Sequence, residues 1–278
     1  MKYAIIGGDE RMAYLADMLE VAVTYGLERT PVAAQKRGCS VEAAVMAADV
    51  VILPVPAESG ELVRAPLAAG PIPMDRVTEL ISPGTLVLGG KLSEKLIGSL
   101  EEKKLRVVDY YALEEYALRS ADATAEGVVR LLLEELGEKL SGKKLMITGF
   151  GRIGKLTARR LQALGADVTV TARKKSDLAW AEVLNYRPVE TARLEDMIGE
   201  QRAVINTIPY VVMGESVLRK IGGDTFIIET ASTPGYDTEA AKKLGVRVVN
   251  AGGLPGRFTP KTAAEDIYKT IIPIIMEG

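Results

Sequence analysis

The sequence predicts an α/β protein made of two parallel-sheet domains. Three observations carry this. Strand and helix patterns alternate along nearly all of its 278 residues, which implies parallel strands joined by crossover helices. A glycine-rich turn near the middle starts a second such unit. The last helix follows strands that already complete that second unit, so it is expected to return to the first. The predicted division is residues 1-120 with the helix 260-278 as one domain, and residues 121-259 as a connecting helix and a nucleotide domain.

In chain order, Lys2 to Ile6 reads as a strand and Arg11 to Leu19 as a helix. Val50 to Leu53, Leu86 to Leu88 and Arg106 to Val108 read as further short, β-branched strands. The first turn, Gly7-Gly8-Asp9-Glu10-Arg11, echoes a nucleotide turn but lacks its third glycine. Asp9 would repel a pyrophosphate, so it reads first as a helix N-cap and second as a substrate-side group. After the Val50 strand comes Leu53-Pro-Val-Pro56-Ala-Glu58-Ser59-Gly60-Glu61. Ligands of open parallel sheets sit beyond the carboxyl ends of strands. Ser59 and Gly60 could therefore offer a hydroxyl and a bare N–H to a small anion, or form an ordinary turn.

Ser120 to Gly127 opens a long helix whose predicted apolar stripe is Val129, Leu132, Leu133, Leu136 and Leu140, with Gly142 as its stop. This helix joins the domains, and its first turn is expected near a cleft between them. Glu126 there is either an acid/base candidate or a partner of the helix dipole. With the C-terminal helix it would make two interdomain connections, hinging near Ser120 and Phe258.

The chain then runs Leu145 to Thr148, Gly149-Phe-Gly151-Arg152-Ile153-Gly154, and Leu156 to Leu164: strand, turn, helix. The G-x-G-x-x-G spacing between strand and helix is that of a dinucleotide-binding turn. Gly149 allows the sharp exit, Gly151 lets backbone approach a pyrophosphate, and Gly154 lets helix pack on strand. The first helical N–H groups would face the phosphates. Both domains are thus expected to be Rossmann-like. The following strand, Asp167 to Ala172, ends in Arg173-Lys174-Lys175-Ser176. NAD enzymes usually place an acid there, about 20 residues on, for the ribose 2′-OH. Here stand cations instead, which favours a 2′-phosphate and hence NADP, held by Arg173 and Lys174; the alternative is a solvated helix start.

Three later strands end in small polar turns: Asn206-Thr207-Ile208-Pro209, Glu229-Thr230-Ala231-Ser232, and Asn250-Ala-Gly252-Gly253. They suit a nicotinamide ribose and ring, with Thr207 the first choice and Ile208, Pro209 and Ala231 beside it. The closing segment, Leu254-Pro255-Gly256-Arg257-Phe-Thr259-Pro260-Lys261, places Thr259 at an N-cap and Pro260 at the first helical position. Ile267, Ile271, Ile274 and Ile275 form that helix's stripe, with Pro273 expected to kink its last turn.

Composition excludes several functions. A net charge of −2 leaves no electrostatic footprint for nucleic acid or an anionic membrane. No apolar run approaches the roughly 20 residues of a membrane span. The start is expected to carry no signal peptide, and a single cysteine, Cys39, fits a reducing cytoplasm. No metal site is expected. The chain has no histidine, which removes imidazole as general base and every triad that uses it. The histidine-dependent mechanism of 2-hydroxyacid dehydrogenases cannot run here unaltered.

Several motifs together resemble the bacterial dipicolinate synthase A-subunit family. They are Ile6-Gly-Gly-Asp-Glu-Arg11, Ile52-Leu-Pro-Val-Pro56 with Ser59-Gly60-Glu61, and Gly149 to Gly154. Asn206-Thr-Ile-Pro209 and Gly253-Leu-Pro-Gly256 with Pro260-Lys-Thr-Ala263 complete the set. The resemblance implies a cytoplasmic enzyme of spore-forming bacteria that acts with a separate partner, the dipicolinate synthase B-subunit. It further implies NADP-dependent oxidation of a cyclic dihydro- or hydroxytetrahydro-dipicolinate to pyridine-2,6-dicarboxylate. This small dicarboxylate would be held by Gly8, Arg11, Ser59, Gly60, Thr124 and Gly256. Glu126 and Lys261 would be the catalytic candidates. Two other readings stay open: another NADP-dependent dehydrogenase of a cyclic imino or hydroxy acid, and a nucleotide-binding regulatory protein. A homo-oligomer also stays open.

Overall fold

A computed structural model describes residues 1–20 and 22–277 of the chain. They form two compact units: Met1–Ser120 with the chain from Pro255 onward, and Ala121–Leu254.

The first unit contains, in order, β1 (Tyr3–Ile6), α1 (Glu10–Met18), β2 (Ala22–Tyr25), α2 (Val41–Val45) and β3 (Val50–Ile52). There follow β4 (Glu58–Ser59), β5 (Leu62–Val63), α3 (Met74–Leu80), β6 (Leu86–Gly89), α4 (Glu94–Glu102) and β7 (Arg106–Asp109). Its main sheet has the order β2-β1-β3-β6-β7, and every pairing is parallel. The central strands Tyr-Ala-Ile-Ile, Val-Val-Ile and Leu-Val-Leu-Gly are apolar throughout because helices cover both faces. One face packs against Val45 of α2, Val77 of α3 and Leu100 of α4. The other packs against Met12 and Leu15 of α1 and against the C-terminal helix. β4 and β5 form a small antiparallel hairpin.

α5 (Glu114–Leu136) runs from the first unit into the second. It starts nearly two turns earlier than expected from Ser120 and ends at Leu136. Gly137, at φ +62°, is its stop rather than Gly142. The buried stripe is also rotated from the expected one: Ala121, Ala125, Val128, Leu132 and Leu136 are inside, while Leu133 is 46% exposed. Small residues let neighbours approach closely, so the face carrying alanines is buried although the leucine-rich face scores higher on hydrophobicity alone.

The second unit contains β8 (Lys144–Thr148), α6 (Arg152–Ala163), β9 (Asp167–Ala172), α7 (Lys175–Val183), β10 (Arg187–Glu190) and β11 (Ala203–Asn206). Then come α8 (Glu215–Leu218), β12 (Phe226–Glu229), α9 (Thr238–Leu244) and β13 (Arg247–Asn250). Its sheet has the all-parallel order β10-β9-β8-β11-β12-β13, which is 3-2-1-4-5-6 counted from its own first strand. That is the Rossmann order, and its switch point lies between β8 and β11. β10 escapes sequence detection because Arg-Pro-Val-Glu is polar and carries a proline, which only an edge strand tolerates.

The chain ends with α10 (Leu254–Phe258) and α11 (Pro260–Met276); the expected helix end at Gly278 lies outside the described residues. Thr259 occupies the N-cap position, but its hydroxyl donates to the Pro255 carbonyl (3.3 Å) instead of capping. The helix continues through Pro273 to Met276. Its buried residues Ala264, Ile267, Ile271 and Ile275 join the core that α1 lines, so the last helix packs in the first unit. Among the described residues no helix is long and apolar enough to cross a membrane.

Candidate functional site

In the second unit the glycine turn joins β8 to α6. A Cβ on Gly154 would lie 2.2 Å from the Gly149 carbonyl oxygen, so only glycine lets α6 start this close to the strand exit. Gly149 sits at φ +90°, and a Cβ there would press on Thr207 Oγ1 at 2.6 Å. Gly151 is different. A Cβ on it would meet nothing within 4 Å, and its position at the N-cap of α6 carries no side-chain cap. The helix therefore begins without a cap from its own N-cap residue and with room beside Gly151, which fits a phosphate group.

β9 ends at Ala172, and Arg173 and Lys174 follow, both exposed. The Arg173 guanidinium lies over the Tyr210 ring, 5.1 Å from its centroid. Lys174 occupies the N-cap position of α7, so these cations are also a helix start.

Next to the turn, a row of buried polar side chains crosses three strand ends. Thr148, Asn206 and Glu229 stand in register on β8, β11 and β12. Thr148 Oγ1 donates to Asn206 Oδ1 (2.5 Å), and Asn206 Nδ2 donates to both Glu229 oxygens (2.8 and 2.9 Å) and to the Ile208 carbonyl (2.9 Å). Glu229 also accepts from the Ala231 and Gly235 amides, at 2.8 and 2.9 Å. Burial pushes its carboxyl above the usual range, outweighing those hydrogen bonds. Thr207 is half-buried and donates to the Thr148 carbonyl, Ile208 is buried, and Pro209 is exposed. The sequence signalled the polar strand ends but not this row, because nothing local indicates that Asn206 and Glu229 are neighbours.

In the first unit, Asp9 caps α1 by accepting from the Arg11 amide (3.1 Å). It also holds the Arg11 side chain at 2.9 Å to Nε and 2.8 Å to Nη2, and Nη2 reaches the Val55 carbonyl at 2.6 Å. Arg11 is 7% exposed. Burial pushes the Asp9 carboxyl up, but the hydrogen bonds and charge of Arg11 outweigh it and hold the carboxyl below its ordinary value. Tyr110 and Tyr116 stack edge-to-face nearby, and burial pushes the Tyr116 hydroxyl up to about 12.

Arg11 thus ties the loop after β1 to the loop after β3. In a sheet of order 2-1-3-4-5 that pair of strands is the switch point where ligands bind. The Gly8 amide donates to the Arg64 carbonyl (2.8 Å). Gly256 belongs to the same cluster: a Cβ on it would come within 2.9 Å of both Arg11 Nε and Asp9 Oδ2. Ser59 and Gly60 form the exposed tip of the β4–β5 hairpin, Gly60 at φ +65°. Lys261 is exposed in the first turn of α11.

The premise for Glu126 is overturned. It lies in the fourth turn of α5, exposed, with Oε1 3.6 Å from Arg160 Nη2. Arg160 is eight residues into α6, about 12 Å along the axis from the glycine turn at 1.5 Å per residue. Thr124, two residues before Glu126 on α5 and about half a turn round, is buried.

The chain matches two family models. Over residues 2–111 it matches the N-terminal domain of the dipicolinate synthase A-subunit, and over residues 112–244 the NAD binding domain of D-isomer specific 2-hydroxyacid dehydrogenases. It is 28% identical to the dipicolinate synthase A-subunit of Bacillus subtilis, covering 100% of this chain and 96% of that protein. The crystal structure of the corresponding Bacillus halodurans protein superposes with a TM-score of 0.90 at 25% identity, covering 100% and 98% of the two chains. A glyoxylate reductase of Thermococcus gammatolerans is 29% identical over 131 residues, 45% of this chain and 38% of that protein. The second unit is accordingly a dehydrogenase-like NAD(P)-binding domain.

Proposed function

Because the chain belongs to the dipicolinate synthase A-subunit family, we propose that it oxidises a cyclic dihydro- or hydroxytetrahydro-dipicolinate to pyridine-2,6-dicarboxylate. The acceptor in this reading is NADP⁺, the partner a separate B-subunit of the synthase, and the setting the cytoplasm of a sporulating cell. The observation that carries the reading is the glycine turn with room beside Gly151, followed by a strand that ends in cations.

The chain's residues divide the work. The α6 amides at Arg152 and Ile153 would bind the pyrophosphate with Gly149, Gly151 and Gly154 clearing room for it. Arg173 and Lys174 would bind the 2′-phosphate. Thr207, Ile208, Pro209 and Ala231 would line the nicotinamide side. Bound NADP⁺ would supply a hydride acceptor. Arg11 would bind one substrate carboxylate through Nη1, which donates to no described residue, while Asp9 and Val55 hold the rest of the guanidinium still. Ser59, Gly60, Thr124, Gly256 and Lys261 are the further donors proposed for the dicarboxylate, with Gly8 shaping the turn. The dihydro form loses a hydride to NADP⁺ and a proton; the hydroxytetrahydro form first loses its hydroxyl as water. Aromatisation drives the oxidation, so the proton released with the hydride can pass to water, and Lys261 or Glu126 need supply little.

The match of residues 112–244 to a 2-hydroxyacid dehydrogenase domain favours a second reading, an NADP-dependent dehydrogenase of another cyclic imino or hydroxy acid. Assays of the purified chain, by itself and with its B-subunit partner, separate the readings by following pyridine absorbance and NADPH together. Both signals from the chain with its partner support the synthase. NADPH without pyridine supports the second reading, and pyridine formation by the partner in isolation would make this chain a regulatory component.

A further inference from the structure

The Thr148–Asn206–Glu229 row is an unusual use of buried space. The three side chains are 0%, 0% and 6% exposed at positions where parallel strands normally bury apolar groups. Glu229 has no cationic partner among the described residues: its hydrogen bonds come from Asn206 and from the Ala231 and Gly235 amides. Uncompensated charge in such a place opposes folding. Yet the donors converge on both carboxylate oxygens, and an amide side chain would turn one of its ends, a donor itself, toward them. The row also grips backbone. Asn206 Nδ2 takes the Ile208 carbonyl and its Oδ1 the Ile208 amide (3.3 Å). Thr230 Oγ1 closes onto the Asn206 carbonyl at 2.6 Å. Gly235 must be glycine, because a Cβ there would lie 2.3 Å from Asn206 Nδ2.

From this geometry we infer that Asn206 and Glu229 are positioning residues that pre-set the turns Thr207–Pro209 and Thr230–Gly235 as a rigid seat for the nicotinamide half of the dinucleotide. This rests on the dinucleotide reading of the second unit. The row spends its hydrogen bonds on its own members and on backbone, so it acts through the turns. Preorganising such a seat removes ordering cost from binding. The adenosine half, assigned to the glycine turn and to Arg173, does not depend on it.

The test uses the full chain and two probes, NADPH and adenosine 2′,5′-bisphosphate, the latter lacking the nicotinamide half. Glu229→Gln should weaken NADPH about tenfold or more, abolish the fluorescence change of its bound nicotinamide, and leave the bisphosphate affinity within about twofold. Gly235→Ala, which pushes on Asn206 from the turn side, should do the same. Equal weakening of both probes would assign the row a purely structural role and overturn the inference, as would unaltered NADPH binding and fluorescence. If the native chain binds neither probe, the dinucleotide reading itself fails, and the inference with it. Should both variants fail to fold, amide exchange in the native protein decides. The Ala231 and Gly235 amides should be protected before any ligand is added, and rapid exchange there overturns a pre-set seat.

Discussion

The two main sheets begin alike, each with a parallel strand, a glycine-containing turn and a helix, but only one of these turns stays open. After β1, the Asp9 carboxylate occupies the N-cap of α1 and binds Arg11. The β4–β5 segment also covers this turn: Gly8 donates to the Arg64 carbonyl, and a Cβ on Gly7 would meet Val63 at 2.7 Å. After β8, the N-cap is Gly151, which brings no capping side chain, and a Cβ on it would meet nothing within 4 Å. A helix N-terminus offers the same donors and dipole in both places. The cap residue decides who uses them. A carboxylate built into the chain satisfies the first turn internally, and a glycine leaves the second for an external anion.

The largest effect should come from opening the first turn. Asp9→Ala removes a cap and leaves buried Arg11 unpaired, which should cost roughly 3 kcal/mol or more in urea unfolding. The deficit should depend on pH. Asp9 titrates below its ordinary 3.8 in the fold, so its contribution is present above that value and fades as pH falls through the lower folded one. A deficit that persists unchanged in acid would mean that the cap geometry, not the charge pair, carries the stability.

Closing the second turn is the converse. Gly151→Asp copies Asp9 into a position with room for it, so unfolding stability should change by less than about 1 kcal/mol. Dinucleotide binding should fall about a hundredfold, roughly 2.7 kcal/mol by calorimetry. Retained binding would break the comparison.

Arg173→Ala sharpens it at the far end of the ligand. The proposed 2′-phosphate pair predicts a loss of roughly 1.5–3 kcal/mol for NADP⁺, the worth of hydrogen bonds to charged groups, with NAD⁺ hardly altered. Equal losses for both cofactors would reassign Arg173 to the adenine side or to the fold. Tyr210→Leu removes the ring beneath the guanidinium and should weaken NADP⁺ by about 0.5–1 kcal/mol.

The smallest effect contrasts the half-buried Asp9 with the buried Glu229. Glu229 is raised above its ordinary 4.5, so its neutral form favours the fold below that value and the advantage is lost as pH rises through the folded one. The stability deficit of Glu229→Gln should therefore be smaller near pH 7 than near pH 4, opposite in sense to Asp9→Ala.

Much of this was legible in the sequence. Short apolar runs such as Leu145–Ile147 and Phe226–Ile228, bounded by turn residues, match strands buried on both faces, and the glycines at Gly149 and Gly154 record steric limits that are local to one turn. The Asp9 cap was readable for the same reason. The limits of α5 were not. Its stop at Gly137 and its alanine-lined buried face depend on what packs against it, and so does the fourth-turn position of Glu126, which removed the reason for expecting it in a helix's first turn near a cleft. β10 was invisible because an edge strand needs little hydrophobic signal.

The sequence by itself determined the alternation of elements, the open and closed glycine turns, and the cations after β9, because each follows from sterics or charge within a few residues. Tertiary structure alone decided that Asn206 stands beside Glu229, 23 residues away, that Arg11 reaches the Val55 carbonyl, 44 residues away, and that Gly256 closes on the same ion pair. Those neighbours are set by sheet order and by the return of the last helix. Strand register is a property of paired backbones, and no periodicity along one segment of chain encodes it.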